Sequence, residues 1–566
     1  MQGSRSTPAR SGAHRPSSNI AARVLGLVCF AVPWTLLACQ GCRGAGGLGP
    51  GTDGAAAPSS ATAAAETPTL RLVVVSDLAG AIEPCGCVKD QLGGLDHLAA
   101  FLSAEKKRVP ATAVVAAGPL FFLDPSLAPD KKEQDVRKAT TLASSLAYTG
   151  LVAFAPGRND WAGGPEVLEK LRVASGASLV GGNLDGVPAE WRGPALKEIG
   201  GVKVGFAGAS ALSSSELGAP AGVSPSEVVP AVRAQVDALK KQGAEILIAI
   251  AATGRGEAKR LADGIPELTA VIVGSPSARG EGNTEAPPPE RIGEVIIAEA
   301  GNHLTSAVLL DFYVRGRSFK FADGSGLEEG RKRATLLRRS SELRGRIAQW
   351  ESDGKIQKAD LDARRAELAK IEAEAAALDT RPPPATGSYF RYSVLEVRTS
   401  LGSDKGVQDR LSAYYKEVNE ANRIAFAGKL PPPVPAGQPK YVGIETCDAC
   451  HVEPREVWDK TRHAKAYATL VTDHKEFNLD CVSCHVTGYD KPGGSTVTHV
   501  KDLENVQCEV CHGPGSLHSK NPNKVAMPIA KPEPEQCLAC HHPPHVHEFD
   551  AKARMADILG PGHGKK

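Results

Sequence analysis

"LRLVVVSDLAGAIEPCGC", Leu70 to Cys87, decides how the larger part of this 566-residue chain folds. Its opening residues form a β-branched run that is apolar almost throughout, then give way to Ser76-Asp77 and glycine-bearing turn residues. A strand with no polar face belongs inside a sheet covered on both sides. The same kind of run returns as "TAVVAAG" (Thr112–Gly118), "LVAFAP" (Leu151–Pro156), "KVGFAG" (Lys203–Gly208), "ILIAIAA" (Ile246–Ala252), "TAVIVG" (Thr269–Gly274) and "EVIIAEA" (Glu294–Ala300). Helix-like stretches such as "EVVPAVRAQVDALKKQG" (Glu227–Gly243) lie between them. This alternation predicts an α/β layered domain over residues 69–320.

The motifs at the strand ends add a resemblance. "LVVVSDLAGAIEPCGC" followed by "QLGGLDHLA" is similar to the opening of the metallophosphoesterase/5′-nucleotidase family. That family ends its first strand in Asp-x-His, whose side chains hold one of two metals. Here Asp77 is followed two residues later by Ala79. The family's Gly-Asp stands as Gly118-Pro119, and its Gly-Asn-His-Glu/Asp as Gly157-Arg158-Asn159-Asp160. A later metal histidine falls near Ala252, and the last Gly-His reads Gly274-Ser275. A two-metal site needs bridging and terminal ligands at fixed positions. Asp77 and Asp160 alone do not make one, so the resemblance implies a metallophosphoesterase-like fold with an inactive hydrolytic site. The alternatives are a rearranged site using Asp77, Glu83, Cys85, Cys87 and Asp160, giving residual metal-dependent phosphoesterase activity, or a nucleotide-binding module. Cys85 and Cys87 could be a redox pair, metal ligands or a tight turn.

The N-terminus carries Arg5, Arg10, Arg15 and Arg23, then "VLGLVCFAVPWTLLAC". A basic region before about fifteen apolar residues reads as an export signal, residues 1–38. Leu36-Leu37-Ala38-Cys39 resembles a bacterial lipobox, which implies cleavage before Cys39 and a lipid on its sulfur. The expected location is the bacterial cell envelope, lipid-anchored, on the periplasmic or outer-membrane side. Residues 39–68, rich in Gly, Ala, Ser, Pro and Thr, read as a flexible tether.

Residues 326–380 are dense in Arg, Glu, Lys, Ala and Leu. Leu336, Leu343, Ile347 and Trp350, then Leu361, Leu368, Ile371, Ala375 and Leu378, recur at helical spacing around "ESDGK". They predict a helical hairpin with an apolar seam. Residues 381–440, with proline-rich ends around "FRYSVLEV" and "DKGVQDRLSAYYKEVNEANRIAF", read as a linker containing a strand and a helix.

The final segment, residues 441–566, carries a different signal. "CDACH" (Cys447–His451), "CVSCH" (Cys481–His485), "CEVCH" (Cys508–His512) and "CLACH" (Cys537–His541) place eight of the 13 cysteines in four identical frames. Twelve of the 15 histidines lie between His451 and His563. On one helical turn, positions i, i+3 and i+4 share a face. Two thiols can then add to the haem vinyl groups while the histidine meets the iron, which is the attachment pattern of c-type haem. Zinc sites need no histidine directly after each second cysteine. A redox CxxC would occur once, and a disulfide framework gives no reason for the histidines. Four covalent haems c are expected. Cys447, Cys450, Cys481, Cys484, Cys508, Cys511, Cys537 and Cys540 attach them, and His451, His485, His512 and His541 are the proximal ligands.

The contexts "CDACHVEPREVWDKTRHAKAYATL", "CEVCHGPGSLHSKNP" and "CLACHHPPHVHEFD" resemble the tetrahaem electron carriers of ammonia oxidisers. That resemblance implies a mostly helical and irregular cytochrome domain with closely packed haem pairs, capped by histidines distant in sequence. It implies His463, His518, His545 and His563 as distal ligands. His499 is the rival, and His474, His542 and His547 are surface or propionate contacts. The segment has few long apolar runs, so haem would supply much of its core.

The resulting expectation is an envelope-anchored electron carrier working between redox partner proteins. The alternative is a redox enzyme with one open haem iron acting on a small nitrogen or oxygen compound. The net charge of +2 and 5% aromatic content give no case for nucleic acid.

Overall fold

A computed structural model of the chain describes residues 66–85, 90–212, 219–278, 280, 282–353, 357–378, 384–542, 546, 549–560 and 563. The expected export signal, most of the tether, Cys39, Cys87, His545 and His547 lie outside the described residues. Among the described residues no helix is long and apolar enough to cross a membrane.

The run Leu70–Ser76 is the hub of a seven-stranded sheet. It pairs in parallel with Thr112–Gly118 and antiparallel with Ser306–Tyr313. A second, six-stranded sheet has Ile246–Ala252 between Val202–Ser210 and Ala270–Gly274, all parallel. The two sheets pack face to face. Leu70, Leu72, Val74, Val115 and Leu310 meet Phe206, Ile248, Ile250 and Ile272 in the layer between them. Alternate residues Val73, Val75, Val114 and Phe154 point the other way, under the helices Leu95–Arg108, Lys132–Thr149 and Lys405–Ala425. Helices Val228–Lys241 and Arg255–Gly264 cover the far face of the second sheet. Burial on both faces explains why these strands are apolar at nearly every position. The single charge in the opening run, Arg71, lies opposite Asp311 in the strand register. Its guanidinium donates two hydrogen bonds to that carboxylate, at 2.5 and 2.7 Å, and a third to Glu105.

The hairpin forms as helices Leu327–Asp353 and Lys358–Ala377. The expected linker, 381–440, needs correction. Its strand, Tyr389–Glu396, pairs antiparallel with Ser306–Tyr313 along its full length and belongs to the first sheet. Its helix, Lys405–Ala425, buries Val407, Leu411, Tyr414, Tyr415 and Val418 against that sheet's outer layer. The α/β body therefore runs on to about residue 425, and the hairpin is an excursion between two of its strands. Proline-rich flanks suggested a tether, but the eight-residue strand had an unsatisfied sheet edge to pair with.

Beyond residue 440 the chain is short helical turns joined by irregular backbone: Glu445–Asp448, Val452–Asp459, Ala466–Thr472, Val482–His485, Cys508–His512, Ser516–Lys520 and Ala551–Met555. Its largest cluster of buried apolar side chains is small, formed by Phe426, Val482, Val486 and Val497. The module rests on the helices Lys132–Thr149 and Lys405–Ala425. Gln134, fully buried, accepts from the Leu479 N–H at 2.9 Å and donates to Asn478 Oδ1 at 3.2 Å. Asn422 links Gln134 Oε1 (2.8 Å) to the carbonyl of Phe477 (2.9 Å).

Candidate functional site

Each CxxCH motif is one helical turn. The His451 N–H donates to the Cys447 carbonyl at 3.0 Å, and that of His541 to Cys537 at 2.9 Å. Val482–His485 and Cys508–His512 are themselves helical. This turn puts both thiols and the imidazole of each motif on one side. The four turns are gathered together. The Cys447 thiol neighbours that of Cys508, the Cys484 thiol neighbours that of Cys540, and burial raises the Cys511 pKa beside Cys537. The first motif is thus set beside the third, and the second beside the fourth.

The imidazoles pair across motifs. His451 faces His518 with ring centroids 6.3 Å apart, His541 faces His463 at 6.2 Å, and His512 faces His563 at 6.3 Å. Direct stacking would bring the rings closer, as Phe549 does on His541 at 4.3 Å. Two metal–nitrogen bonds of about 2 Å, plus about 1 Å from each nitrogen to its ring centre, sum to roughly 6 Å. The gap therefore fits one metal between each pair.

The ring protons support the same geometry. His485 Nδ1 lies 2.6 Å from the Ala466 carbonyl, His512 Nδ1 2.9 Å from that of Ile529, and His518 Nδ1 2.6 Å from that of Val525. A carbonyl can only accept, so each Nδ1 carries the proton and each Nε2 keeps its lone pair for a ligand. The donor set of two thiols, a proximal imidazole and a facing imidazole suits a haem c.

The other expected histidines are placed as follows. His499, the rival distal ligand, has Nδ1 3.1 Å from Thr498 Oγ1 and 3.4 Å from Thr496 Oγ1. His474 is exposed, with φ 58°, just beyond a helix end. Two residues that the sequence did not single out organise the site. Glu509, inside the third motif, is 1% exposed and accepts from the N–H groups of Val442, Gly443 and Gly515 at 2.7–3.1 Å. Gln507 accepts from the Ile444 N–H at 2.8 Å. Together they tie the lead-in to the first motif onto the third. The sequence signal for Glu509 is its position between two of the motif cysteines.

At the carboxyl ends of the α/β strands, where such folds place ligands, the remaining family positions come together in a different form. Asp77, at φ 49°, accepts from Ser275 twice, from N–H and from Oγ–H, each at 2.8 Å. Ser275 stands where the family has a metal histidine, and it occupies both carboxylate oxygens. Only glycine fits at 118, because a Cβ there would lie 1.8 Å from Asp77 Oδ1. Asp160 accepts from the N–H groups of Leu120, Phe121 and Gly157 at 2.8–3.0 Å. Burial pushes Asp77 up to about 6 and Asp160 up to about 7. Glu83 is turned to the C-terminal module, with Lys475 Nζ 2.6 Å from its Oε1. The rearranged set of Asp77, Glu83 and Asp160 is thus not assembled. The Cys85 side chain and Cys87 lie outside the described residues. Among the described residues no three His, Cys, Asp or Glu side chains form a metal-holding group.

Comparison with known proteins returns one family match and several structural matches. Residues 446–513 match the family model of cytochrome c554 and c-prime. The match takes in the first three CxxCH motifs; the fourth, and the distal candidates His518 and His563, lie beyond it. The cytochrome c-554 of Nitrosomonas europaea is 34% identical over 96 residues, covering 14% of this chain and 41% of that relative. The chain thus spans about two-fifths of the cytochrome relative's length. The α/β body has similar solved structures among nucleotidases and phosphoesterases. A 5′-nucleotidase precursor from Thermus thermophilus matches with TM-score 0.41 and 15% identity, over 64% of this chain and 61% of that one. The calcineurin-like phosphoesterase YfkN from Bacillus subtilis matches with TM-score 0.36 and 16% identity, over 44% and 86%. The chain joins a segment similar to cytochrome c554 to an α/β body of two packed sheets.

Proposed function

We propose that this chain is a multihaem c-type cytochrome that carries electrons between redox partner proteins through four covalently attached haems. Cys447 and Cys450, Cys481 and Cys484, Cys508 and Cys511, and Cys537 and Cys540 hold the haems as thioethers. His451, His485, His512 and His541 are the proximal ligands. His518, His563 and His463 cap the first, third and fourth irons, and His545 remains the expected fourth distal ligand. When bound, haem c supplies a one-electron ferric/ferrous couple. The observation that carries this reading is the trio of imidazole pairs 6.2–6.3 Å apart, each joining a CxxCH histidine to one distant in sequence. Two imidazoles on one iron leave no position for substrate, which favours electron passage over chemistry on a bound molecule. The proximity of the first motif to the third, and of the second to the fourth, favours transfer between neighbouring haems.

The reading extends to the cell. Cys39 is the proposed lipid-bearing residue, and the module works in the bacterial envelope, facing redox proteins and not nucleic acid. The α/β body acts as a scaffold. Its Asp77 is already hydrogen-bonded on both oxygens to Ser275, which favours binding or support over hydrolysis.

Electron paramagnetic resonance of the oxidised protein tests the ligation. The expected spectrum has low-spin ferric signals from at least three irons. A spectrum dominated by high-spin iron would refute the facing pairs as ligands. One observation favours a second reading at the second motif. Three of the four proximal histidines face another imidazole, and among the described residues His485 does not. If that iron is open, one high-spin signal in four appears and shifts with nitric oxide or cyanide, and the chain is a redox enzyme for a small nitrogen or oxygen compound.

A further inference from the structure

The α/β body grips the second haem-attachment motif through charge. Asp480 stands one residue before Cys481, and its two oxygens take two ammonium groups, both from the other module. Lys131 Nζ lies 2.7 Å from Oδ1 and Lys138 Nζ 2.9 Å from Oδ2. Lys131 also meets Asp135 at 3.2 Å. Lys138 and Asp480 are part-buried, 22% and 29% exposed. Two cations and two anions make the cluster neutral as it stands. Beside it, Lys475 pairs with Glu83 at 2.6 Å and with Asp473 at 3.7 Å, and lies 4.3 Å over the Tyr415 ring. Tyr414 and Tyr415, buried with ring centroids 4.9 Å apart, lie near Cys481. The segment that carries the second motif is therefore partly covered by the body's helices Lys132–Thr149 and Lys405–Ala425.

We propose that Lys138 and Asp480 are positioning residues that set the reduction potential of the haem at the second motif, so that the α/β body tunes the electron carrier it supports. This rests on the tetrahaem reading above. An added electron on a haem is destabilised by nearby negative charge and stabilised by positive charge. Burial alone would raise the Asp480 pKa, but Lys138 and Lys131 outweigh it and hold the carboxylate ionised. Lys138 stays charged because Asp480 and Asp135 offset its burial. Removing Lys138 leaves the cluster one charge negative; removing the Asp480 charge leaves it one charge positive. The two changes must therefore move the same haem in opposite directions. A merely structural role would move both the same way, or not at all.

The test is a potentiometric titration of the haem-loaded full chain, with the second haem's couple identified by His485→Met. Lys138→Met is expected to lower that couple and Asp480→Asn to raise it. Each shifts the ratio of oxidised to reduced haem about three- to tenfold at fixed potential; tenfold corresponds to about 59 mV for one electron. Lys138→Arg, which keeps the charge, leaves all couples in place, as do the other three haems in every variant. Unchanged couples, shifts of the same sign, or shifts confined to another haem would overturn the proposal. If Lys138→Met does not mature with four haems, Asp480→Asn decides alone: a rise in the second couple supports the assignment and no rise overturns it. Intact mass separates the two levels, because fewer than four haems on the wild-type chain contradicts the tetrahaem reading itself.

Discussion

The junction between the two modules should be stabilised by one glutamine more than by any other single side chain. Gln134 is 2% exposed and joins three groups from the neighbouring segments: the Leu479 N–H, the Asn422 amide and the Asn478 carbonyl oxygen. Gln134→Leu keeps most of the volume and removes every one of those bonds. The cost is uneven. Asn422 still donates to the Phe477 carbonyl, and Asn478 Oδ1 still accepts from the Asp480 N–H. Each of these loses about 1 kcal/mol. The Leu479 N–H, part-buried, has Gln134 as its acceptor, and stranding it costs about 1–3 kcal/mol. The total is about 3–5 kcal/mol, against a typical domain stability of about 5–15 kcal/mol. Urea unfolding of the haem-loaded protein, followed by far-ultraviolet circular dichroism for the body and Soret absorbance for the module, measures it. In the wild type the two signals should fall together. In Gln134→Leu the module should loosen first, with the transitions separating and the midpoint falling. A loss below about 1 kcal/mol with coincident transitions, equal to that of the exposed control Gln408→Leu, would refute the reasoning.

Other outcomes follow from the same geometry. His518→Ala should convert one iron of four to high spin and let the reduced protein bind carbon monoxide at that iron, because among the described residues the imidazole that His518 faces is that of His451; an unchanged spin state would remove this pairing. Junction stability should form a plateau in pH. Asp480 is depressed below 3.8, so its contribution is present above that value and is lost as pH falls through the folded pKa. Lys138 is raised above 10.5, so its contribution is present below that value and is lost as pH rises through the folded pKa. Urea midpoints across pH should show both limbs in the wild type and flatten in Asp480→Asn; identical profiles would contradict the pairing. Expression without haem attachment should leave the α/β body folded and the final module without a cooperative transition, since Phe426, Val482, Val486 and Val497 form its largest buried apolar cluster; a protected, cooperatively folded apo-module by hydrogen exchange would count against this.

The α/β layers were legible because strands such as Leu70–Ser76 and Ile246–Ala252, covered on both faces, carry that burial in every residue. The haem motifs were legible because the chemistry needs adjacent residues on one turn. Two things were hidden for the same reason. The strand Tyr389–Glu396 looks like a linker strand because its partner, Ser306–Tyr313, lies across the whole hairpin. Asp480 looks like an ordinary surface aspartate because its two lysines are more than 300 positions away. Pairings of this kind leave no local pattern. The distal histidines fall between these cases: histidines abound near the motifs, but only the folded arrangement sets His463 opposite His541 and leaves His499 among threonines.

The central claim is that iron porphyrin is bound through sulfur at all four motifs. A pyridine haemochrome spectrum combined with intact mass of the mature protein tests it most directly. The account predicts a c-type haemochrome, a mass increase of four haems, and no reactive thiol at the eight motif cysteines. A colourless protein with zinc or disulfides at those cysteines would contradict it.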